Sequence, residues 1–385
     1  MTDLNTASTQ WANRPDDERF STPEELLAAV QNRKACDAEV EIAGDSLDVV
    51  DRDTDLALVY RPVNAEAPTS AALTAWSFQQ VCTRVKAPAA YLATLPTYKA
   101  ADLLSYGLTK LSGEGVCNVL VNGGGTVRSL MSDSYERVWD VAIAERLIEL
   151  RDAGWRVPPA RPAREGQAGA RAATEADVLS TRGGGGGLYI NVGDMIAPAG
   201  LYAGDRDLFA FMVNEDARLE DGTPGGLSRG FFIENSEVGA KGLRVTSYLY
   251  RHVCGNHIVW GAENVRTLAV RHVGMGPEAF WRGLEDRVRS YMESGFSADE
   301  ARIKAAQRFT LGDGRDKVAD FLYSRSLLGK RAALKAYDRA EQDGETPTTA
   351  WGLAQGITRL SQDLTNADRR NELDKAAGRI IDLAA

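Results

Sequence analysis

The sequence predicts an α+β protein: an antiparallel sheet region with a helical N-terminal segment and an all-helical C-terminal tail. Three observations carry that expectation. Short apolar runs rich in β-branched and aromatic residues, bounded by Gly, Asn and Asp, occupy 38–63, 116–131 and 188–272. Segments with apolar residues three and four apart lie among them between 69 and 154. From Pro277 onward the helical spacing continues without another strand-like run, and such segregation marks α+β rather than an alternating parallel sheet.

Residues 1–20 are polar, acidic and aperiodic, so a disordered N-terminus is expected. The N-terminal α+β part then spans 21–157. In it, residues 21–34 read as a helix capped by Ser21 or Thr22, with Pro23 in the first turn. Strands are expected at 38–44, 46–52 and 56–63, the first two joined as a hairpin by Gly44 and Asp45. A helix over 69–85 carries Leu73, Trp76, Val81 and Cys82 along one side. A second helical piece follows Pro88, and a third runs from Tyr98 to Ser112 with Leu103, Leu104, Leu108 and Leu111 in amphipathic spacing. Two apolar strands flank Asn122-Gly123, the strongest short hairpin signal, and a helix over 136–154 ends at Gly154. Residues 158–187, rich in Pro, Gly, Ala and Arg, read as a linker or long mobile loop. Strands at 188–196, 207–216, 228–239, 241–254 and 267–272 make an antiparallel sheet core over 188–276. The helical C-terminal part, 277–385, divides into segments at 277–294, 298–310, 314–326, 329–343, 348–363 and 366–383.

Composition sets the outer bounds. With 385 residues, 44% of them hydrophobic, the chain can bury a core without disulfides or metals. Cys36, Cys82, Cys117 and Cys254 are far apart and form no C-x-x-C pair, which argues against a structural zinc site and fits unpaired thiols in a reducing cytoplasm. The N-terminus has no basic start followed by an apolar run, and no apolar stretch approaches the roughly 20 residues of a bilayer span, so a cytoplasmic protein with no membrane partner is expected. The net charge of −9 is uneven. Residues 1–60 hold 14 acids and 5 bases, and the remaining 40 acids and 40 bases cancel. Binding responds to the local face, so the body behind this acidic front remains free to meet a polyanion.

Several constellations could carry chemistry. Arg128, Ser132 and Tyr135 supply a guanidinium for phosphate, a hydroxyl and a ring for stacking, and are the leading nucleic-acid candidates. The run Glu234, Asn235, Ser236, Glu237 reads as a polar turn whose Asn and Ser satisfy backbone groups, or as carboxylates for a divalent ion. Residues 250–257 gather Arg251, His252, Cys254, Asn256 and His257; no orienting third group marks Cys254 as a nucleophile, and with His272 the histidines have no metal-ligand spacing. The glycine runs 122–125 and 183–187 lack a following Lys-Ser/Thr, so they are not phosphate-cradling loops, and no cofactor is identifiable. Residues 282–340 carry 13 bases against 9 acids; Arg331 and Lys335, four apart, share one helix face that could track phosphates. Trp351, Leu353, Ile357 and Leu360 mark either core or a contact with another subunit, and a homo-oligomer is expected.

Stretches across residues 70–381 resemble the family known as domain of unknown function 932, proteins of phages, plasmids and other mobile elements. The likeness lies in 79–108 with its Tyr-Leu-x-x-Leu-Pro segment, in 127–138 with Arg128, Ser132 and Tyr135, and in Asn235-Ser236-Glu237-x-Gly239 followed by Arg251-x-Val253-Cys254-x-Asn256. Arg271-His272 and 356–381 also fit, while His257 stands where the family usually has glycine. The resemblance implies a mobile-element protein and no settled activity. With Arg251, Asn256 and Arg271 added to the nucleic-acid candidates, the expected function is non-enzymatic nucleic-acid binding, single-stranded DNA favoured, as in a single-strand annealing or recombination factor. On that reading Arg128→Ala and Tyr135→Ala weaken binding and leave the fold intact. The alternatives are a metal-dependent phosphodiester-cleaving enzyme built on Glu234, Glu237 and the histidines, and a phage protein that inhibits a host system.

Overall fold

Capping chemistry sets where the helices begin. The computed structural model describes residues 16–111, 115–157, 161–163, 166, 170–173, 191–197, 200–219, 227–251, 256–258, 268–270, 281–283, 286, 290, 297–362 and 367–384. Helix α1 (Pro23–Cys36) starts at Thr22, whose hydroxyl accepts from the Glu25 N–H at 3.2 Å. Helix α2 (Ala75–Arg84) opens with a reciprocal capping box between Thr74 and Ser77. Short α3 (Ala89–Leu92) and longer α4 (Thr97–Thr109) follow prolines, and α5 (Asp140–Leu150) runs through a 3-10 turn to Gly154, whose φ of 84° ends it.

The fold is α+β, and among the described residues the strands form three sheets. The first has six strands: β2 (Asp37–Ala43), β3 (Asp48–Asp51), β4 (Leu56–Tyr60), β5 (Thr69–Leu73), β6 (Val116–Asn122) and β7 (Thr126–Ser132), in the order β2-β6-β7-β5-β4-β3. Only β5 and β7 run parallel. Helices α2 to α4 cover this sheet and bury Val81, Leu92, Leu104 and Leu108 against Ile42, Leu58, Val119 and Val127.

The second sheet is built around three long strands, β13 (Leu208–Leu219), β14 (Leu227–Asn235) and β15 (Leu243–Arg251). Shorter strands extend it: β1 (Arg19–Phe20), β8 (Trp155–Arg156), β12 (Leu201–Ala203), β16 (Asn256–Ile258) and β17 (Leu268–Val270). Every residue of β14 is buried, so this strand is sheltered on both faces. Phe211 and Phe232, opposite each other on β13 and β14, stack at 5.1 Å. Helices α1 and α5 pack together on the sheet, joining Leu26, Val30, Ile143 and Leu147 to Trp155 and Phe231.

The C-terminal helices α6 (Ser297–Arg308), α7 (Arg315–Ser324), α8 (Lys330–Gln342), α9 (Ala350–Gln362) and α10 (Ala367–Asp382) enclose a third core. There Ile303, Leu322, Trp351, Ile357 and Ile380 meet Leu219 and Leu227 from the β13–β14 end of the large sheet.

Four local expectations differ from what is observed. Residues 69–73 are strand β5 rather than the start of a helix: they bridge β4 and β7, and Thr74 then caps α2. Strands β2 and β3 do not pair as a hairpin. β2 binds β6 and β3 binds β4, and the nearest closure is a bridge between Ile42 and Pro62, where the Val63 N–H donates to the Glu41 carbonyl at 3.0 Å. Within the expected linker, β9 (Arg161–Pro162) and β10 (Arg171–Ala172) both pair with β11 (Met195–Ala197), since backbone donors at the start and end of this long excursion find one shared partner strand. In the expected disordered N-terminus, Arg19–Phe20 pair with Leu201–Tyr202, and Phe20 is buried.

Close helix packing gives a stability test. Helix α8 buries Ala333, Ala336 and Ala340 against α9, and a Cβ at Gly356 would overlap the Ala336 carbonyl oxygen and stand 2.8 Å from the Ala340 Cβ. Gly356→Ala is expected to lower unfolding free energy by about 1–3 kcal/mol in urea titration. Gly283→Ala, whose Cβ meets nothing within 4 Å, should hold or raise it.

Candidate nucleic-acid interface

Two sequence motifs, about 100 residues apart, meet at the junction of the two large sheets. The turn after β14 presents three successive carbonyls to the half of the molecule built on the six-stranded sheet. The Ser236 carbonyl accepts from the Tyr135 hydroxyl at 2.9 Å, and the Glu237 carbonyl from Arg137. The Val238 carbonyl accepts from Trp76 Nε1 at 2.8 Å and from Gln80 Nε2 at 2.9 Å. Ser236 Oγ closes the turn locally, accepting from the Val238 and Ala240 N–H groups. Of the expected polar turn, Ser236 alone closes locally: Glu234 and Asn235 belong to β14, and Asn235 Nδ2 donates to the Val138 carbonyl at 2.9 Å, 97 residues away.

Its carboxylates are held internally. Glu237, 3% exposed, accepts from both terminal nitrogens of Arg128 at 3.2 Å and from the Asp140 N–H at 3.0 Å, which places a carboxylate at the N-terminus of α5 where Trp139 offers no side-chain cap. Arg128 also pairs with Asp37 and donates to the Asp205 carbonyl at 3.1 Å. Arg33 reaches Asp140 at 2.8 Å and Glu237 at 3.7 Å. Asn235 Nδ2 donates to Asp140 Oδ1 at 2.7 Å, and Arg137 reaches Glu39 at 2.9 Å. Glu234 pairs with Arg244 at 3.0 Å. Burial and the Glu237 carboxylate beside it push the Asp140 carboxyl up to about 7 despite Arg33. Burial likewise raises Asp37 against the opposing pull of Arg128.

Arg128, Ser132 and Tyr135 therefore do not form one outward face. The ladder between β6 and β7 pairs Val121 with Val127 and Leu120 with Ser129, so Arg128 is the extra residue of a bulge. It is 5% exposed and serves as an internal countercharge, a placement unsuited to a surface phosphate contact. Ser132 is exposed and shares a hydrogen bond with Ser134, while Tyr135 is half-buried with Arg137 over its ring at 5.5 Å. Burial raises the Tyr135 phenol. Arg251 and Asn256 are directly paired between β15 and β16, but their side chains, like all of Arg271, His252, Cys254 and His272, lie outside the described residues. Arg331 and Lys335 are both exposed on α8. Among the described residues, no group of three or more His, Cys, Asp and Glu is placed to hold a metal ion, and no helix is long and apolar enough to cross a membrane.

The surface feature best suited to a polyanion lies elsewhere. Between the Arg84–Leu92 segment and α4 runs a groove of about 460 Å³. Its apolar wall is Val85, Leu92 and Leu111, and its rim carries Arg84, Lys86 and Lys110 with the rings of Tyr91 and Tyr106. These tyrosines are 58% and 63% exposed, and Tyr98 nearby is 53% exposed. Lys110 Nζ sits 4.9 Å from the Tyr106 ring centre and Lys99 Nζ 5.8 Å from that of Tyr98. Helix α4 approaches closely because residue 107 is glycine: a Cβ there would stand 2.8 Å from the Val85 Cβ. Residues 84–111 hold four bases and one acid, Asp102. Lysine and tyrosine interleaving is the signal in the sequence for this face; the leucine spacing, of which Leu104 and Leu108 mark the buried side of α4, masks it.

Compared with family models, with curated proteins and with solved structures, the chain finds no match in any of the three. The geometry of the site stands on its own.

Two outcomes follow from the buried cluster. Arg128→Ala leaves Asp37 and Glu237 without their shared countercharge and is expected to cost about 3–5 kcal/mol in denaturant unfolding. The raised Asp140 pKa means that the folded state keeps a proton that the unfolded chain releases between the ordinary carboxylate range and about 7. Stability from this group therefore falls as pH rises through that window. Thermal unfolding should show this loss from about pH 4 to about pH 7, and Asp140→Asn should flatten it.

Proposed function

We propose that the chain is a non-enzymatic nucleic-acid-binding protein of the mobile-element kind that its motifs resemble, holding single strands as an annealing or recombination factor would. The observation that carries this reading is the 84–111 face: four bases to one acid, with three tyrosine rings more than half exposed, on a chain whose net charge is −9. Phosphate binding follows local potential, and exposed rings beside cations suit nucleotides in a way that solvated lysines alone do not. Arg331 and Lys335 on α8 supply a second basic contact. The buried motif residues serve this function indirectly, by holding α2 in place, since α2 leads directly into Arg84 and Lys86.

The test is binding of a fluorescent single-stranded oligonucleotide across a salt series. Affinity should fall linearly in log salt, and the double variant Lys86→Glu/Lys110→Glu should bind at least about tenfold more weakly at low salt, with a slope shallower by roughly two. Absence of binding at low salt would overturn the reading. Lys86 also has a left-handed backbone, φ 57°, where glycine would be unstrained. Lys86→Gly should therefore raise stability by about 1 kcal/mol while weakening the same binding.

A further inference from the structure

We infer that the groove between Arg84–Leu92 and α4 takes unpaired nucleobases, stacked on Tyr91 and Tyr106, with their phosphates on Lys86 and Lys110. This rests on the nucleic-acid reading above, which needs only the charges; the inference adds that base faces are what the groove is shaped to receive.

Four features point to a base rather than to a backbone alone. First, the rings are not used by the fold. Tyr60 and Tyr202 are buried in their sheets, whereas Tyr91 and Tyr106 stand in solvent on opposite walls of one groove. Second, the groove interior is apolar. Val85, Leu92 and Leu111 offer nothing to a phosphate, and Leu103, half exposed beside them, extends the surface against which an aromatic face can be desolvated. Third, a cation accompanies the ring: Lys110 Nζ lies over one face of Tyr106, 4.9 Å from its centre, within reach of the sugar-phosphate of a base stacked on the other face. Fourth, the volume of about 460 Å³ falls within the range of about 300–1,000 Å³ typical of clefts for small ligands. In a duplex the base faces are already stacked on one another and cannot reach these rings, so the groove selects single strands. An acidic peptide would satisfy the lysines but would leave the tyrosines and the apolar wall unmatched.

The experiment compares four ligands on the full chain by fluorescence anisotropy at one salt concentration: an oligothymidylate, an abasic phosphodiester of equal length and charge, a duplex, and poly-glutamate. Oligothymidylate is expected to bind at least about tenfold more tightly than the abasic chain or the duplex, and poly-glutamate is expected to compete poorly. Tyr91→Ala and Tyr106→Ala should each lose roughly five- to tenfold for oligothymidylate and little for the abasic chain, with Tyr106→Phe restoring affinity. Unfolding midpoints of these exposed-site variants report that the groove is intact. Equal binding of oligothymidylate, abasic chain and duplex, with the tyrosine variants silent, would overturn base stacking while leaving the nucleic-acid reading in place. Displacement by poly-glutamate as effective as by oligothymidylate would identify an acidic-peptide groove and overturn the inference. Failure of every polyanion to bind would overturn both.

Discussion

A carboxylate buried between two sheets has to be answered by donors, and Glu237 shapes its surroundings through that requirement. It lies in the turn where β14 ends, and its partners come from three different elements: the hydrogen-bonding guanidinium of Arg128 from β7, the charge of Arg33 from α1 at 3.7 Å and the backbone N–H at the start of α5. None of these can move far without stranding a charge. The turn's carbonyls extend the constraint to α2 and to the segment before α5 through Trp76, Gln80, Tyr135 and Arg137. An ion cluster of this kind adds little net stability over apolar packing, because desolvation offsets most of the attraction. What it supplies is a single permitted arrangement of the six-stranded sheet on the one built around β13 to β15.

That arrangement reaches the surface through α2. The N-terminal half of this helix is bonded to the Val238 carbonyl, and its last residue is Arg84, at the wall of the groove. The strained backbone of Lys86 turns the chain from the end of α2 toward α3. A rigid base at one end of a ten-residue helix and a strained turn at the other hold Lys86 and Tyr91 opposite α4, which its own buried leucines fix to the sheet. Preorganisation of this kind limits the entropy lost when a flexible strand is bound.

Much of the fold was legible because its signals are local. Thr22 with Pro23, the Asn122-Gly123 turn and Gly154 each act within a few residues of the boundary they set. The misread elements depend on distant partners. Residues 69–73 satisfy a helical pattern as well as a strand, and only the gap between β4 and β7 decides the outcome. Likewise β2 passes over its sequence neighbour β3 because β6 offers a seven-residue match. For the site, the sequence singled out residues that do come together, but as a buried cluster rather than an outward face. Arg128 and Tyr135 do belong with Glu237, but a one-residue bulge turns Arg128 inward, and alternation along a strand cannot reveal a bulge.

Charge counting misleads in the same way. All of the formal excess of acid lies in the first 60 residues, yet Asp37 there faces Arg128 in the interior and the exposed Glu39 pairs with Arg137, and beyond that stretch Asp140 and Glu237 are likewise answered by arginines. These acids neutralise interior cations and contribute little field outside, because opposite charges a few ångströms apart cancel at a distance. The surface potential that a polyanion meets is then set by charges without such partners, and the 84–111 face is where cations outnumber acids four to one. Interior arginines with interior acids, and exterior lysines beside exterior tyrosines, divide the same residue types between holding the molecule together and meeting a ligand. The richer motif is the scaffold because buried charges tolerate few substitutions, whereas a binding face needs only sign, reach and exposed rings.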